Sequence, residues 1–184
     1  MSDTKKIKLE PLGPEDAQDM FSGLSDNRAY QFIPDEPPIS LEALRDRYVV
    51  LSSGGNSNGT EIWLNWIIRQ GVDQKTVGYT QATLTAEEAV VAYHVFPLYW
   101  RQGIAAEAMK ITLTTIFYNP DIKIARAFVD TRNHASIALL HKLGFKQVRR
   151  IHDADFFKGA KSHEYEFEIT QTEWLKTPMP SQTQ

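Results

Sequence analysis

The chain has 184 residues, 42% apolar and 23% charged, with a formal net charge of −3 and no cysteine. That length suits a single domain with its own core, and the lack of cysteine excludes disulfides, thiolate metal sites and a cysteine nucleophile, as in a cytoplasmic protein. The charge gives no electrostatic footprint for nucleic acid, no apolar run is long enough to span a membrane, and the first ten residues lack a secretory apolar stretch.

Ile7–Leu12 alternates as an edge strand does, and Pro11 ends it. Pro14 opens a helix to Leu24, with Glu15, Asp16 and Asp19 near its positive end. Pro34, Pro37 and Pro38 make a rigid loop. Ser40 is the expected N-cap of a helix from Leu41 to Leu51, with apolar face Leu41, Leu44, Tyr48 and Leu51. Residues 52–59, rich in serine, glycine and asparagine, form a flexible loop. Residues 1–60 hold ten acidic against six basic side chains, either a lining for a cationic substrate or a solvated face.

From Glu61 the pattern turns to strands: Ile62–Ile68, Thr76–Leu84 and Glu88–Phe96 are rich in β-branched and aromatic residues. A helix follows from Arg101 to Phe117, then a strand over Lys123–Val129. Asn133 is the expected N-cap of a helix ending at Leu143, with Gly144 at its C-terminus. Phe145–His152 and Glu164–Thr170 are the last two strands, and residues 178–184 are expected to be disordered. The order predicts a mixed α/β domain over residues 1–177.

Between strand and helix lies Trp100-Arg101-Gln102-Gly103-Ile104-Ala105-Ala106. A tight turn of small residues into a helix N-terminus aims free N–H groups at an anion such as phosphate. The same segment also fits an ordinary strand–helix connection. Gly103 stands alone, without the glycine spacing of the dinucleotide or P-loop motifs, so an unrelated nucleotide-binding protein is disfavoured.

Two segments coincide with this turn. Tyr93-His94-Val95-Phe96-Pro97 precedes it, and Asn133-His134-Ala135-Ser136 with Leu143-Gly144-Phe145 follows about 30 residues on. Together they resemble the GNAT N-acetyltransferase superfamily, in the branch that includes ribosomal-protein N-terminal and spermidine acetyltransferases. The resemblance is carried by residues 61–152. It implies one domain with a central, mostly antiparallel twisted sheet, splayed between strands 88–96 and 123–129. It also implies a substrate-side helical region at about 14–52. Trp100 departs from the family's usual Arg or Gln at the start of the loop.

The resemblance implies acetyl-CoA as acetyl donor, CoA as product and a primary amine as acceptor: a protein N-terminus, a polyamine, an antibiotic or an amino-acid-like molecule. The pyrophosphate is expected over the N–H groups of Arg101, Gln102, Gly103, Ile104, Ala105 and Ala106. Pantetheine is expected along the strand edge, with an N–H of Val95 or Phe96 facing the developing oxyanion. Asn133 and Ser136, three apart on one helical turn, are expected at the cofactor, although capping alone also explains Asn133. Relatives in this branch are commonly dimers, so a homodimer is an expectation of the same kind.

The catalytic groups are less defined. Many relatives carry a tyrosine seven residues after the asparagine, where this chain has Leu140. No carboxylate lies within the strand 89–96. His94 and Tyr93 remain as candidates, and strand alternation sends them to opposite faces, so one of the two points into the cleft. His134 and His141 are expected to face solvent, and no metal-ligand set is present. The alternative is a non-catalytic module that keeps the fold, either binding CoA or serving protein interaction.

Overall fold

The computed structural model describes residues 6–176; the tail expected to be disordered at 178–184 lies outside the described residues. Seven strands form one sheet: β1 (Ile7–Pro11), β2 (Ile62–Gln70), β3 (Lys75–Leu84), β4 (Glu88–Val95), β5 (Ile124–Asp130), β6 (Lys146–Phe157) and β7 (Ala160–Thr170). Among the described residues five α-helices accompany it: α1 (Ala17–Leu24), α2 (Leu41–Leu51), α3 (Ile104–Phe117), α4 (His134–Lys142) and α5 (Gln171–Lys176). The strand order is β1-β2-β3-β4-β5-β7-β6, and every pair is antiparallel except β4–β5. This is the mixed α/β class that the order of elements predicts, with the mostly antiparallel sheet that the resemblance implies.

Period-two alternation divides the sheet into two faces. Ala89 and Val91 of β4, Ala125 and Ala127 of β5, and Phe167 and Ile169 of β7 pack against Met109 and Leu113 of α3, Leu140 of α4 and Trp174 of α5. Met109, Leu113 and Phe167 are wholly buried, each worth about 1.5–3 kcal/mol. On the other face, α1 and α2 cover β2 and β3 through Met20, Leu44, Tyr48 and Ile67. Arg69 of β2 pins the segment before α1 to the sheet, reaching Asp16 at 2.7 Å and Glu10 at 3.1 Å.

The caps expected at Ser40 and Asn133 form. Ser40 Oγ accepts from Ala43 N–H at 3.0 Å, and Asn133 Oδ1 accepts from Ser136 N–H at 3.1 Å. Three regions differ from the sequence reading by more than two residues. The segment from Pro14 starts as a 3-10 turn, Pro14–Asp16, before α1. α3 begins at Ile104, because Arg101 and Gly103 take left-handed backbone (φ 64° and 82°). The last hairpin runs further than expected, to Phe157 and from Ala160. Lys158 and Gly159 close it with positive φ, and irregularities at Gln147/Arg149 and Ile151/Asp155 break the alternation that would have revealed it. α5 is a short helix the sequence reading missed.

Candidate active site

β4 and β5 pair over only three rungs, Glu88–Ile124, Ala89–Ala125 and Val90–Arg126. Beyond Val90 they diverge and leave a gap. At the closed end Arg126 joins β4, β5 and β7 by bonding Glu88 (3.0 Å), Glu166 and Glu168. The β3–β4 ladder fixes which backbone groups face the gap. Glu88 and Thr85 exchange hydrogen bonds at one end, and Phe96 N–H donates to Val77 at 2.9 Å at the other, with unbroken register between. Even-numbered β4 residues therefore turn their N–H and C=O toward β3, and Val91, Tyr93 and Val95 turn theirs toward the gap. Of the two N–H donors the sequence offered, that of Phe96 is committed to Val77 and that of Val95 faces the gap.

Gly78 makes this end of the ladder close. It pairs with Val95, and a Cβ on it would lie 2.1 Å from the carbonyl oxygen of His94. Trp100, the departure from the family pattern, has a defined role here: its Nε1–H donates to Val95 C=O at 2.7 Å and ties the loop to the strand end.

The loop itself is a concave run of donors. Among the described residues, the N–H groups of Arg101 to Ala106 donate to no chain acceptor, and the first bond closing α3 is Glu107 N–H to Gly103 C=O. Left-handed backbone at Arg101 and Gly103, two residues apart, turns successive N–H groups of the loop toward one side, a concavity of the kind that receives anions. A Cβ on Gly103 would meet nothing within 4 Å, so open space lies above the turn. Arg101 and Gln102 are exposed, Ala105 is half-buried, and Ile104 and Ala106 anchor the turn in the core. Free donors, a helix dipole and open space suit a pyrophosphate.

Tyr93 and His94 take opposite faces, as alternation requires. Tyr93 lies on the α3–α4 face, and its hydroxyl is 2.7 Å from Ser136 Oγ on the first turn of α4. Burial pushes the Tyr93 phenol up, so it stays protonated at neutral pH. Leu140, at the position where relatives carry a tyrosine, is core. Asp130 fixes the entry to α4. Its carboxyl bonds Arg132 at 2.6 Å and Ser162 at 2.7 Å, and these partners hold it down at about 2.

His94 lies on the α1–α2 face, 7% exposed. Its ring stacks on Tyr79 (5.2 Å, 16°) and meets Tyr30 at 5.5 Å. Burial lowers the imidazole to about 4, and its Nε2 is sealed without a hydrogen-bond partner. Glu164, which sequence reasoning missed, lies on the same face of the sheet, opposite Asp130 in the β5–β7 ladder. It is half-buried, and its carboxylate makes no hydrogen bond among the described residues. Desolvation and the charges of Asp155 and Asp130 push its carboxyl up. Only the parity of β7, invisible before the hairpin register was known, places it there.

A pocket of about 250 Å³ opens on this face between α1, α2 and strands β2 and β3. The hairpin tip reaches over to its rim. Lys158 Nζ donates to the carbonyls of Ile33 (2.9 Å) and Asp35 (3.2 Å) and pairs with Glu36 at 3.0 Å. The acidic surplus read in residues 1–60 thus includes two rim carboxylates.

Comparisons with known proteins agree with this fold. Residues 6–146 match the family model described as acetyltransferase (GNAT) domain. An uncharacterized N-acetyltransferase of Bacillus subtilis, YoaA, is 22% identical over 148 residues, 79% of this chain and 82% of that protein. The solved spermidine N-acetyltransferase of Vibrio cholerae, in complex with CoA and spermine, superposes with a TM-score of 0.78 at 15% identity, over 92% of this chain and 98% of that one. A GNAT-family acetyltransferase from Bacillus anthracis gives 0.77 at 17% identity, with the same coverage. With the family model spanning most of its length, the chain belongs to the GNAT acetyltransferase family.

Proposed function

We propose that this protein is an acetyl-CoA-dependent N-acetyltransferase acting on a primary amine. The observation that carries the reading is the run of free N–H donors from Arg101 to Ala106, set directly beyond the gap-facing edge of β4. When bound, acetyl-CoA supplies a thioester whose carbonyl carbon accepts the amine. The loop donors hold the pyrophosphate, and the edge groups of Val91 and Tyr93 pair with the pantetheine amides. Val95 N–H donates to the carbonyl oxygen as negative charge builds on it. Asn133 and Ser136 border the sulfur end.

The amine enters from the α1–α2 face. Glu164 takes the ammonium proton, which frees the nitrogen lone pair. As the carbon–nitrogen bond forms and the carbon–sulfur bond breaks, Tyr93 gives its phenolic proton to the sulfur. The second proton lost from nitrogen restores Tyr93 through the Ser136 hydroxyl. A tyrosine on β4 thereby does the work that relatives assign to the helix position held here by Leu140. His94 acts as a wall, since its sealed Nε2 has no route to the amine. The absence of cysteine and the weak charge support a cytoplasmic enzyme without nucleic-acid partners.

The test is a calorimetric titration with acetyl-CoA, with ATP and NAD as controls, followed by an amine panel scored by CoA release. Micromolar binding of acetyl-CoA alone, lost in Gly103→Glu with the melting temperature near wild type, is the expected result. No binding removes the enzyme reading, and equal binding in Gly103→Glu removes the loop from it. Binding without CoA release from any amine favours the non-catalytic module.

A further inference from the structure

We infer that the pocket on the α1–α2 face receives the tail of a monoamine with an aromatic or similarly apolar body, rather than a polyamine. The inference rests on the proposed transferase reading and adds the acceptor class. Three observations carry it.

The first is the wall. Tyr30, Tyr48 and Tyr79 line the cavity together with Leu24, Leu44 and Leu51. Burial pushes all three phenols up, that of Tyr79 to about 12, so this wall stays uncharged. At about 250 Å³ the cavity is smaller than the 300–1,000 Å³ typical of sites for drug-sized ligands, a size that suits a single ring.

The second is the charge at the rim. Asp35 faces Arg47 at 3.4 Å, and Glu36 faces Lys158 at 3.0 Å. Each rim carboxylate already has a cation of this chain as partner. Arg47 itself lines the cavity and repels a second ammonium. A polyamine would have to place extra positive charge against uncharged tyrosine and leucine walls and beside the Arg47 guanidinium at the rim, which is disfavoured.

The third is the path to the gap. The pocket floor includes Tyr79 and Gln81 of β3, whose register partners on β4 are His94 and Ala92. Ala92 is exposed on this face, so no large side chain separates floor from gap. Adjacent strands lie about 4.8 Å apart, so a short alkyl spacer carries the amine from a ring in the pocket across Ala92 to the gap. The side-chain amide of Gln81 makes no hydrogen bond among the described residues and lies beside that path, where its oxygen accepts from the incoming nitrogen.

The probes are phenethylamine, tryptamine and spermidine. The expected result is a kcat/KM for phenethylamine or tryptamine at least tenfold above that for spermidine. Ala43→Trp, which fills the cavity from the half-buried side of α2, should lower the phenethylamine value at least tenfold and leave acetyl-CoA affinity unchanged. Arg47→Ala should narrow the gap to spermidine. Phenethylamine binding is also measured by calorimetry without acetyl-CoA, which separates the two readings. If phenethylamine binds and Ala43→Trp abolishes it while no amine is acetylated, the pocket inference stands and the transferase reading falls. If spermidine is acetylated at least as well as phenethylamine, or Ala43→Trp changes neither binding nor KM, the pocket inference falls and the transferase reading stands.

Discussion

The hydroxyls of Tyr93 and Ser136 lie 2.7 Å apart, joining β4 to the first turn of α4 where the two strands have already separated. A phenol held protonated by burial and bonded to a serine on a capped helix turn is positioned as a proton donor. Tyr93→Phe should lower kcat by about 100-fold, within the range for loss of a general acid, with little change in acetyl-CoA affinity. Ser136→Ala should cost less, because the phenol remains. Stopped-flow and steady-state kinetics separate the two effects. Equal loss of binding and turnover in Tyr93→Phe would make the pair structural.

Glu164→Gln tests the proton acceptor. A neutral amide of the same shape cannot take the ammonium proton, so kcat/KM at neutral pH should fall by about 100-fold. The loss should shrink at alkaline pH, where the free amine is already abundant. A uniform loss across pH would assign Glu164 to positioning.

His94 makes stability depend on pH with a definite sign. Its ordinary value is 6.5, and burial lowers it to about 4 in the folded protein. Between these values the unfolded chain binds the proton and the folded one does not. Stability is therefore fully present above about 6.5, falls as pH drops toward 4, and levels off below. The total loss is on the order of 3 kcal/mol. His94→Phe should remove this slope, so that denaturant midpoints at pH 5 and pH 8 differ less than in wild type. An unchanged slope would place the pH dependence elsewhere.

Lys158→Ala tests the clasp between the hairpin tip and the loop over the pocket. With Ile33, Asp35 and Glu36 released, the amine KM should rise several-fold. Acetyl-CoA affinity should not change, because Lys158 touches neither the loop after β4 nor the gap. Exposed ion pairs contribute about 0–1 kcal/mol, so the melting temperature should barely move. A matching loss of acetyl-CoA affinity would show that the hairpin also shapes the cofactor side.

Local rules account for what was legible in the sequence. The caps at Ser40 and Asn133, the small-residue turn at Gly103 and the opposite faces of Tyr93 and His94 follow from neighbours within a few residues. Which face each of those two took was decided by packing: α3 and α4 claim the odd residues of β4, and Tyr30 and Tyr79 enclose His94. The hairpin beyond His152 was hidden because bulges erase its alternation. Glu164 was hidden with it, since its face depends on the β5–β7 register. The pocket could not be foreseen, because Leu24, Tyr48 and Gln81 meet only through tertiary contacts.

The clasp at the pocket rim has an evolutionary consequence. Two of the three oxygens that Lys158 reaches across the rim are main-chain carbonyls, at Ile33 and Asp35, and every amino acid offers the same carbonyl. The loop that roofs the pocket can therefore exchange its side chains while the lysine keeps its hold. Divergence in residues 33–36 would then alter the preferred guest without disturbing β4, the turn at Gly103 or the transfer step, and a lineage could change substrates while inheriting its chemistry intact.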